Sequence, residues 1–109
     1  MSWDVTLTDD RGHVEIDINY THNCNRMIRA AATATGVDSI AWWDGFNGLP
    51  GPTGAAYLHA VIGELTAHPD VYDEMNPPNG CGDRKSLVET LTKMRDAVPE
   101  WPTEWTISG

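Results

Sequence analysis

The chain has 109 residues, which is room for one domain, residues 1–109, with a single modest hydrophobic core. Its 16 acidic and 7 basic residues give a net charge of −9, and a field of that sign repels DNA and anionic lipid. No apolar run approaches the roughly 18 residues needed to cross a bilayer, and the chain start lacks the features of a secretion signal. We therefore expect a cytoplasmic protein that binds neither DNA directly nor a membrane.

The beginning of the chain predicts a β-hairpin. Apolar residues alternate with polar ones on both sides of a turn at residues 9–12: Trp3, Val5, Leu7, Val14, Ile16 and Ile18. Alternation with a period of two places these side chains on one face of a strand pair. The same alternation returns near the end of the chain, where Trp105 and Ile107 are the inward residues. A third strand therefore completes an antiparallel sheet.

Three helices are predicted between the strands, at about residues 23–35, at about 53–68, and from Asp83 or Ser86 onwards. Asn23 is the expected cap of the first helix, and Gly36 marks its end. Apolar residues recur at helical spacing in the other two: Leu58, Val61, Ile62, Leu65, Leu87, Leu91, Met94 and Val98. Such stripes are buried together when helices pack on one face of a sheet. The sequence thus predicts an α+β fold, a small three-stranded antiparallel sheet in the order β-β-α-α-α-β with helices on one face.

The segment from Trp42 to Pro52 is unusual because it is rich in both aromatic residues and glycine. Ordinary loops are short and polar, so this segment covers the core, binds a partner, or contacts a second subunit. Its glycines precede a helix, but a nucleotide P-loop also needs a Gly-Lys-Ser/Thr ending and a preceding buried strand. The sequence has neither, and a flexible turn is the better interpretation.

Two asparagine-rich segments, residues 19–25 and 76–83, each stand directly before a predicted helix. Most of the scarce basic residues lie beside them: Arg26, Arg29, Arg84 and Lys85. Helix N-termini, amide side chains and arginines together are what a phosphate or carboxylate site requires. The alternative is that the asparagines only cap helices and form turns while the arginines are solvated.

Metal and thiol chemistry find little support in the sequence. His22, Cys24 and Cys81 match no common zinc spacing, and His59 and His68 do not share one helical face. Two cysteines in a chain without a signal peptide are expected to be reduced. We predict no metal, no cofactor and no catalytic residue.

The strings at residues 19–23, 75–83 and 105–108 resemble a group of small uncharacterised proteins encoded by tailed bacteriophages and prophages of actinobacteria. In that group small residues stand at the positions of His22 and Cys24, and a tryptophan stands at that of Cys81. The difference argues further against metal or thiol chemistry. Small acidic phage proteins often resemble inhibitors of host defence. The resemblance therefore implies a non-enzymatic anti-defence sponge that sequesters a nucleotide-derived immune signal in the host cytoplasm.

For such a sponge, aromatic rings would stack on a base, asparagines would contact its polar edges, and arginines would pair with phosphate. The predicted ligand-binding residues are Asn19, Tyr20, Thr21, Asn23, Arg26, Trp42, Trp43, Asn76, Asn79 and Arg84. The expected ligand is small and anionic or nucleotide-like.

Two other functions stay open. One is an inhibitor or assembly factor that binds a host protein through the Trp42 to Pro52 segment, which would also suit a homodimer contact. The other is a small nucleotide hydrolase using Asp17 or Asp44, although nothing in the sequence singles out either carboxylate.

Overall fold

Helices and strands follow one another in the predicted arrangement, in a computed structural model that describes residues 2–37, 40, 42–78, 80 and 82–109. The elements are β1 (Ser2–Asp9), β2 (Val14–Thr21), α1 (Asn25–Ala34), α2 (Trp43–Phe46), α3 (Gly51–Ala67), α4 (Pro69–Asp73), α5 (Arg84–Asp96) and β3 (Thr103–Ser108). A 3₁₀ turn, His22–Cys24, joins β2 to α1. The α+β class and the three-stranded antiparallel sheet are confirmed. The short helices α2 and α4 are additions that the sequence did not predict.

The sheet has the strand order β2-β1-β3. In the centre of β1, Val5 pairs with Ile18 on one side and with Ile107 on the other. The hairpin turn is held by the carboxylate of Asp9, whose Oδ1 accepts the backbone N–H groups of Arg11 and His13 at 2.9 and 2.8 Å. Both β2 and β3 run antiparallel to β1, as predicted from the sequence.

The core lies between one face of the sheet and the helices. Val5, Leu7 and Trp105 are fully buried on that face. The helices contribute Met27, Ile28, Leu58, Leu65, Leu87, Leu91 and Met94, all with no exposed surface. Burial of each large apolar side chain contributes about 1.5–3 kcal/mol. This shared burial, rather than helix propensity, holds the three long helices against the sheet.

The helix starts differ in detail from the prediction. Asn23 is not the cap of α1. Instead Thr21, the last residue of β2, accepts the N–H of Asn23 on its Oγ1 at 3.2 Å and caps the 3₁₀ turn. Thr21 keeps an extended backbone, so its side chain reaches the amides of the turn that follows. α1 then starts at Asn25, after the turn. By contrast, Asp83 does cap α5, through a capping box with Ser86.

The Trp42 to Pro52 segment covers the core. Trp42, Trp43 and Phe46 are 0%, 2% and 0% exposed, and the Phe46 ring lies 5.3 Å from that of Trp105. The segment also covers the outer edge of β3, where the backbone N–H of Trp105 donates to the Leu49 carbonyl at 2.9 Å. Of the three roles that the sequence allowed, the structure shows the core cover. The rings offer no face to a partner or a ligand in this conformation.

Candidate functional site

The two asparagine-rich segments meet in space around the hydroxyl of Tyr20. This hydroxyl lies 2.8 Å from Ser86 Oγ and 3.4 Å from the Asp83 carbonyl oxygen. It also lies 3.4 Å from Cys24 Sγ. We call the contact between residues 20–24 and residues 82–86 the junction. It brings together the two segments at which the sequence predicts a phosphate or carboxylate site.

Gly82 lets the two segments approach closely. Its φ of +92° is a backbone conformation that L side chains rarely adopt. A Cβ at this position would lie 2.7 Å from Thr21 Cγ2 and 3.1 Å from Cys24 Sγ. No side chain fits there without moving the 3₁₀ turn. The glycine is therefore required by both the backbone and the packing of the junction.

Two helices begin at the junction, and helix N-termini carry partial positive charge. α1 starts directly after Cys24, and α5 starts directly after Asp83. Of the seven basic residues in the chain, four lie in the first two turns of these helices: Arg26, Arg29, Arg84 and Lys85. Arg26 and Lys85 are exposed. The starts of these two helices therefore hold most of the basic residues of an acidic protein, beside the exposed carboxylate of Asp83.

Arg84 and Asn76 are engaged in a polar network that fixes the start of α5. The Arg84 guanidinium contacts Asp73 Oδ1 at 2.8 Å and the Leu65 carbonyl at 3.4 Å. Asn76 Oδ1 accepts the backbone N–H of Arg84 at 2.8 Å. These groups serve to position α5, so an incoming anion would meet Arg26 and Lys85 rather than Arg84.

Two side chains inside the junction, Tyr20 and Cys24, have raised pKa values and favour their neutral forms. Burial raises the pKa of the Tyr20 hydroxyl, and its hydrogen bond with Cys24 acts in the same direction. Burial also raises the pKa of the Cys24 thiol, although the contact with Tyr20 acts against this. The thiolate is the reactive form of cysteine. Cys24 thus behaves as a packing residue and not as an activated nucleophile.

A stack of aromatic rings supports the junction from beneath. The ring of His22 lies 4.1 Å from Trp3, and Trp3 lies 5.8 Å from Trp43 in a stacked arrangement. Trp3 Nε1 donates to Asn25 Oδ1 at 2.9 Å, which ties β1 to the start of α1. The Nε2 atom of His22 is buried and has no hydrogen-bond partner among the residues that the structure describes. Trp43 therefore supports the junction indirectly. It packs in the core against Trp3, and Trp3 packs against His22.

The predicted site residues do not all gather in one place. Tyr20 and Thr21 lie at the junction, and Asn23 and Arg26 are exposed beside it. Asn19 lies on the sheet face away from the helices, where its Nδ2 donates to Asp4 Oδ1 at 2.7 Å. Successive strand residues point to opposite faces, which separates Asn19 from Tyr20.

The remaining predicted residues lie elsewhere or are not described. Trp42 and Trp43 are in the core, so the structure does not support their predicted stacking on a base. Asn76 and Arg84 hold the start of α5. Asn79 falls outside the described residues, as does Cys81.

Sequence reasoning missed Ser86, which lies in the junction, and Trp3, which packs against His22 of the junction. The Asp83-x-x-Ser86 spacing resembles a capping box and could have indicated Ser86. Trp3 carried no such signal, because alternation only assigns it to the core face. Its contact with His22 depends on how the 3₁₀ turn folds back over β1.

The chain matches no protein-family profile, and searches of curated proteins and of solved structures also give no match. Within the described part of the chain, no group of three or more His, Cys, Asp or Glu side chains is placed to hold a metal ion. No helix among the described residues has the length and apolar character to span a bilayer. Any functional conclusion therefore depends on the geometry of the site.

Proposed function

We propose that this protein is a non-enzymatic binding protein that holds a small anionic, nucleotide-like ligand over the junction. The observation that carries the proposal is the convergence of two segments that are 66 residues apart at Tyr20 and Ser86. Both segments lead into helix N-termini, and both helices carry basic residues in their first turns. Such an arrangement attracts phosphate or carboxylate groups.

Some hydrogen-bond donors of the proposed site already have partners within the protein, and this decides which groups can bind the ligand. The first amides of α5 donate to Asn76 and Asp83, so side-chain cations supply most of the attraction. Arg26 offers a planar fork of donors, which suits a phosphate. Lys85 adds a second positive charge.

The net charge of −9 would make anion binding selective for the proposed site. Anions are repelled from most of the surface and are attracted only where cations and helix N-termini coincide. The resemblance to proteins of actinobacterial phages suggests a ligand class, namely nucleotide-derived signals of host defence. On this proposal the protein lowers the free concentration of such a signal and leaves it chemically intact.

Native mass spectrometry tests ligand capture. The protein is purified from cells with an active nucleotide-signalling defence, and its native mass is compared with its denatured mass. We expect a bound small molecule that is released unaltered. Recovery of a cleaved product would identify an enzyme instead. A bare protein that also fails to bind ADP-ribose and ATP in calorimetric titrations would contradict the proposal.

A pair of double variants tests where the ligand binds. Arg26→Ala with Lys85→Ala removes the exposed cation of each helix that lies nearest in sequence to the junction, and we expect roughly a tenfold or greater loss of affinity for the captured ligand. Lys93→Ala with Arg95→Ala removes the same charge near the end of α5 and should leave the affinity nearly unchanged. Equal losses in the two variants would mean that only the overall charge matters, which would overturn the junction as the site.

A further inference from the structure

Trp101 differs from the other tryptophans because its ring faces solvent. Trp3, Trp42, Trp43 and Trp105 are at most 9% exposed, whereas Trp101 is 53% exposed. The ring is nevertheless held in place, since its Nε1 donates to Glu15 Oε1 at 2.9 Å. An exposed and already positioned indole is a common anchor of protein interfaces, because little conformational freedom is lost on binding.

Trp101 lines an open depression of about 480 Å³ together with residues 9–11 and 102. A second depression, of about 290 Å³, is lined by residues 8–10 and 102–104. The two depressions adjoin each other, since both are lined by Asp9, Asp10 and Pro102. We call residues 8–11 and 101–104 the Trp101 groove.

A second exposed apolar residue lies at the rim of the groove. Val14 is 47% exposed and pairs with Thr8 across the hairpin. Val14 is therefore next to Thr8, which lines the groove, and next in sequence to Glu15, which accepts the indole N–H of Trp101 and lies 3.9 Å from His13 Nε2. Apolar side chains within a polar rim are the usual composition of a protein-binding surface.

The charge of the groove is predominantly negative. Asp9, Asp10 and Glu104 line it, against the single cation Arg11. Asp9 is turned into the hairpin to accept backbone N–H groups, so Asp10 and Glu104, both exposed, contribute the carboxylates most open to a partner. The face of an indole also attracts cations through its quadrupole. The indole ring and the carboxylates thus both favour a positively charged occupant.

We propose that the Trp101 groove docks a basic segment of a protein partner, with an arginine or lysine side chain lying against the Trp101 ring. A second copy of this chain is a poor occupant because each copy carries a charge of −9. A small free cation would be weakly held, since the groove is open rather than enclosed. An extended polypeptide gains additional contacts with Val14 and Pro102.

This surface is separate from the junction. Along β1, Ser2 pairs with Thr21 beside the junction, whereas Thr8 pairs with Val14 at the groove. Six residues of extended chain separate these two positions by about 20 Å. Peptide docking and anion binding are therefore independent properties, and either one can fail without the other.

Titration with short peptides tests the proposal. The probes are a capped peptide of alternating arginine and glycine, its lysine counterpart, and a version in which neutral citrulline replaces arginine. We expect saturable binding of the two basic peptides, followed through the indole N–H resonance of Trp101 in NMR spectra. Binding of the citrulline peptide with equal affinity, or absence of saturation by the basic peptides, would overturn the proposal.

Matched variants assign the binding to the groove. Trp101→Ala should weaken peptide binding roughly tenfold, whereas Val71→Ala, which truncates another side chain that is 53% exposed, should have no effect. Glu104→Gln should weaken binding more than Glu89→Gln on α5, and Arg11→Ala should strengthen it. Unchanged binding by both Trp101→Ala and Glu104→Gln would mean that the attraction is general, and the groove would be rejected.

Two further outcomes separate this inference from its alternatives. If the Trp101 resonance moves with protein concentration alone, the occupant is a second copy of the chain and the proposal is wrong. The Arg26→Ala, Lys85→Ala variant should bind the basic peptides at least as well as the unmodified protein. Loss of peptide binding in that variant would contradict the independence of the two surfaces.

Discussion

At the scale of single residues, Tyr20 connects parts of the chain that are distant in sequence. Its hydroxyl contacts Ser86 from α5 and Cys24 from the 3₁₀ turn, and only 9% of the residue is exposed. The period-two pattern of β2 indicates that Tyr20 points inward with Ile18, and it equally indicates that Asn19 points outward. The sequence could therefore have separated these two neighbours, but it could not have named Ser86 as the partner.

Tyr20→Phe should destabilise the protein by about 1–2 kcal/mol, because it removes a part-buried hydrogen bond while keeping the ring. Ser86→Ala should cost at least as much, since Ser86 also completes the capping box of α5. We expect the double variant to lose less than the sum of the two, by about 1 kcal/mol. Urea unfolding of the four proteins measures this coupling. Strict additivity would show that the hydroxyls do not interact.

At the scale of elements, α3 has a closely packed face, which includes Gly54, and a solvent-exposed face, which includes Gly63. A Cβ at Gly54 would overlap with Trp105 Nε1 and lie 2.7 Å from the Phe46 ring. At Gly63, in the same helix, no atom of the described part of the chain lies within 4 Å of such a Cβ. Close packing therefore excludes a larger residue at Gly54, whereas packing does not exclude one at Gly63.

Alanine at these two positions should shift stability in opposite directions. Gly54→Ala should cost about 1–3 kcal/mol, because the added methyl displaces Trp105 from its bond to the Gly51 carbonyl. Gly63→Ala should gain about 0.5–1 kcal/mol from helix propensity. Thermal and urea unfolding report both effects. A stabilising Gly54→Ala would mean that the ring cluster is not packed as described.

At the scale of the whole molecule, buried phenols make the fold sensitive to alkali. Burial raises the pKa of Tyr72 from 10.0 to about 12, and the hydrogen bond to Glu64 acts in the same direction. The pKa of Tyr20 is raised as well. In the unfolded chain these groups ionise near pH 10. Their contribution to stability is therefore complete below about pH 10 and is lost as the pH rises towards the folded-state value.

The free energy of unfolding should fall above about pH 10, by about 1.4 kcal/mol per pH unit for each tyrosine that ionises only on unfolding. Urea titrations at a series of pH values measure this slope. Tyr72→Phe should have a shallower slope than the unmodified protein, even though it starts from a lower stability. An equal slope would show that Tyr72 is not a source of the alkaline sensitivity.

Local patterns in the sequence determined the fold class, most helix positions and the two segments that meet at the junction. These features depend on the period of apolar residues and on capping chemistry, which act between residues close together in the chain. Only the tertiary structure decided that Trp42 and Trp43 lie in the core, because an aromatic, glycine-rich segment has the same composition whether it covers a core or faces a partner. It also decided that Arg84 pairs with Asp73 and that Trp101 stays exposed. Burial and long-range pairing depend on which surfaces remain uncovered once all elements have packed, and no local pattern contains that information.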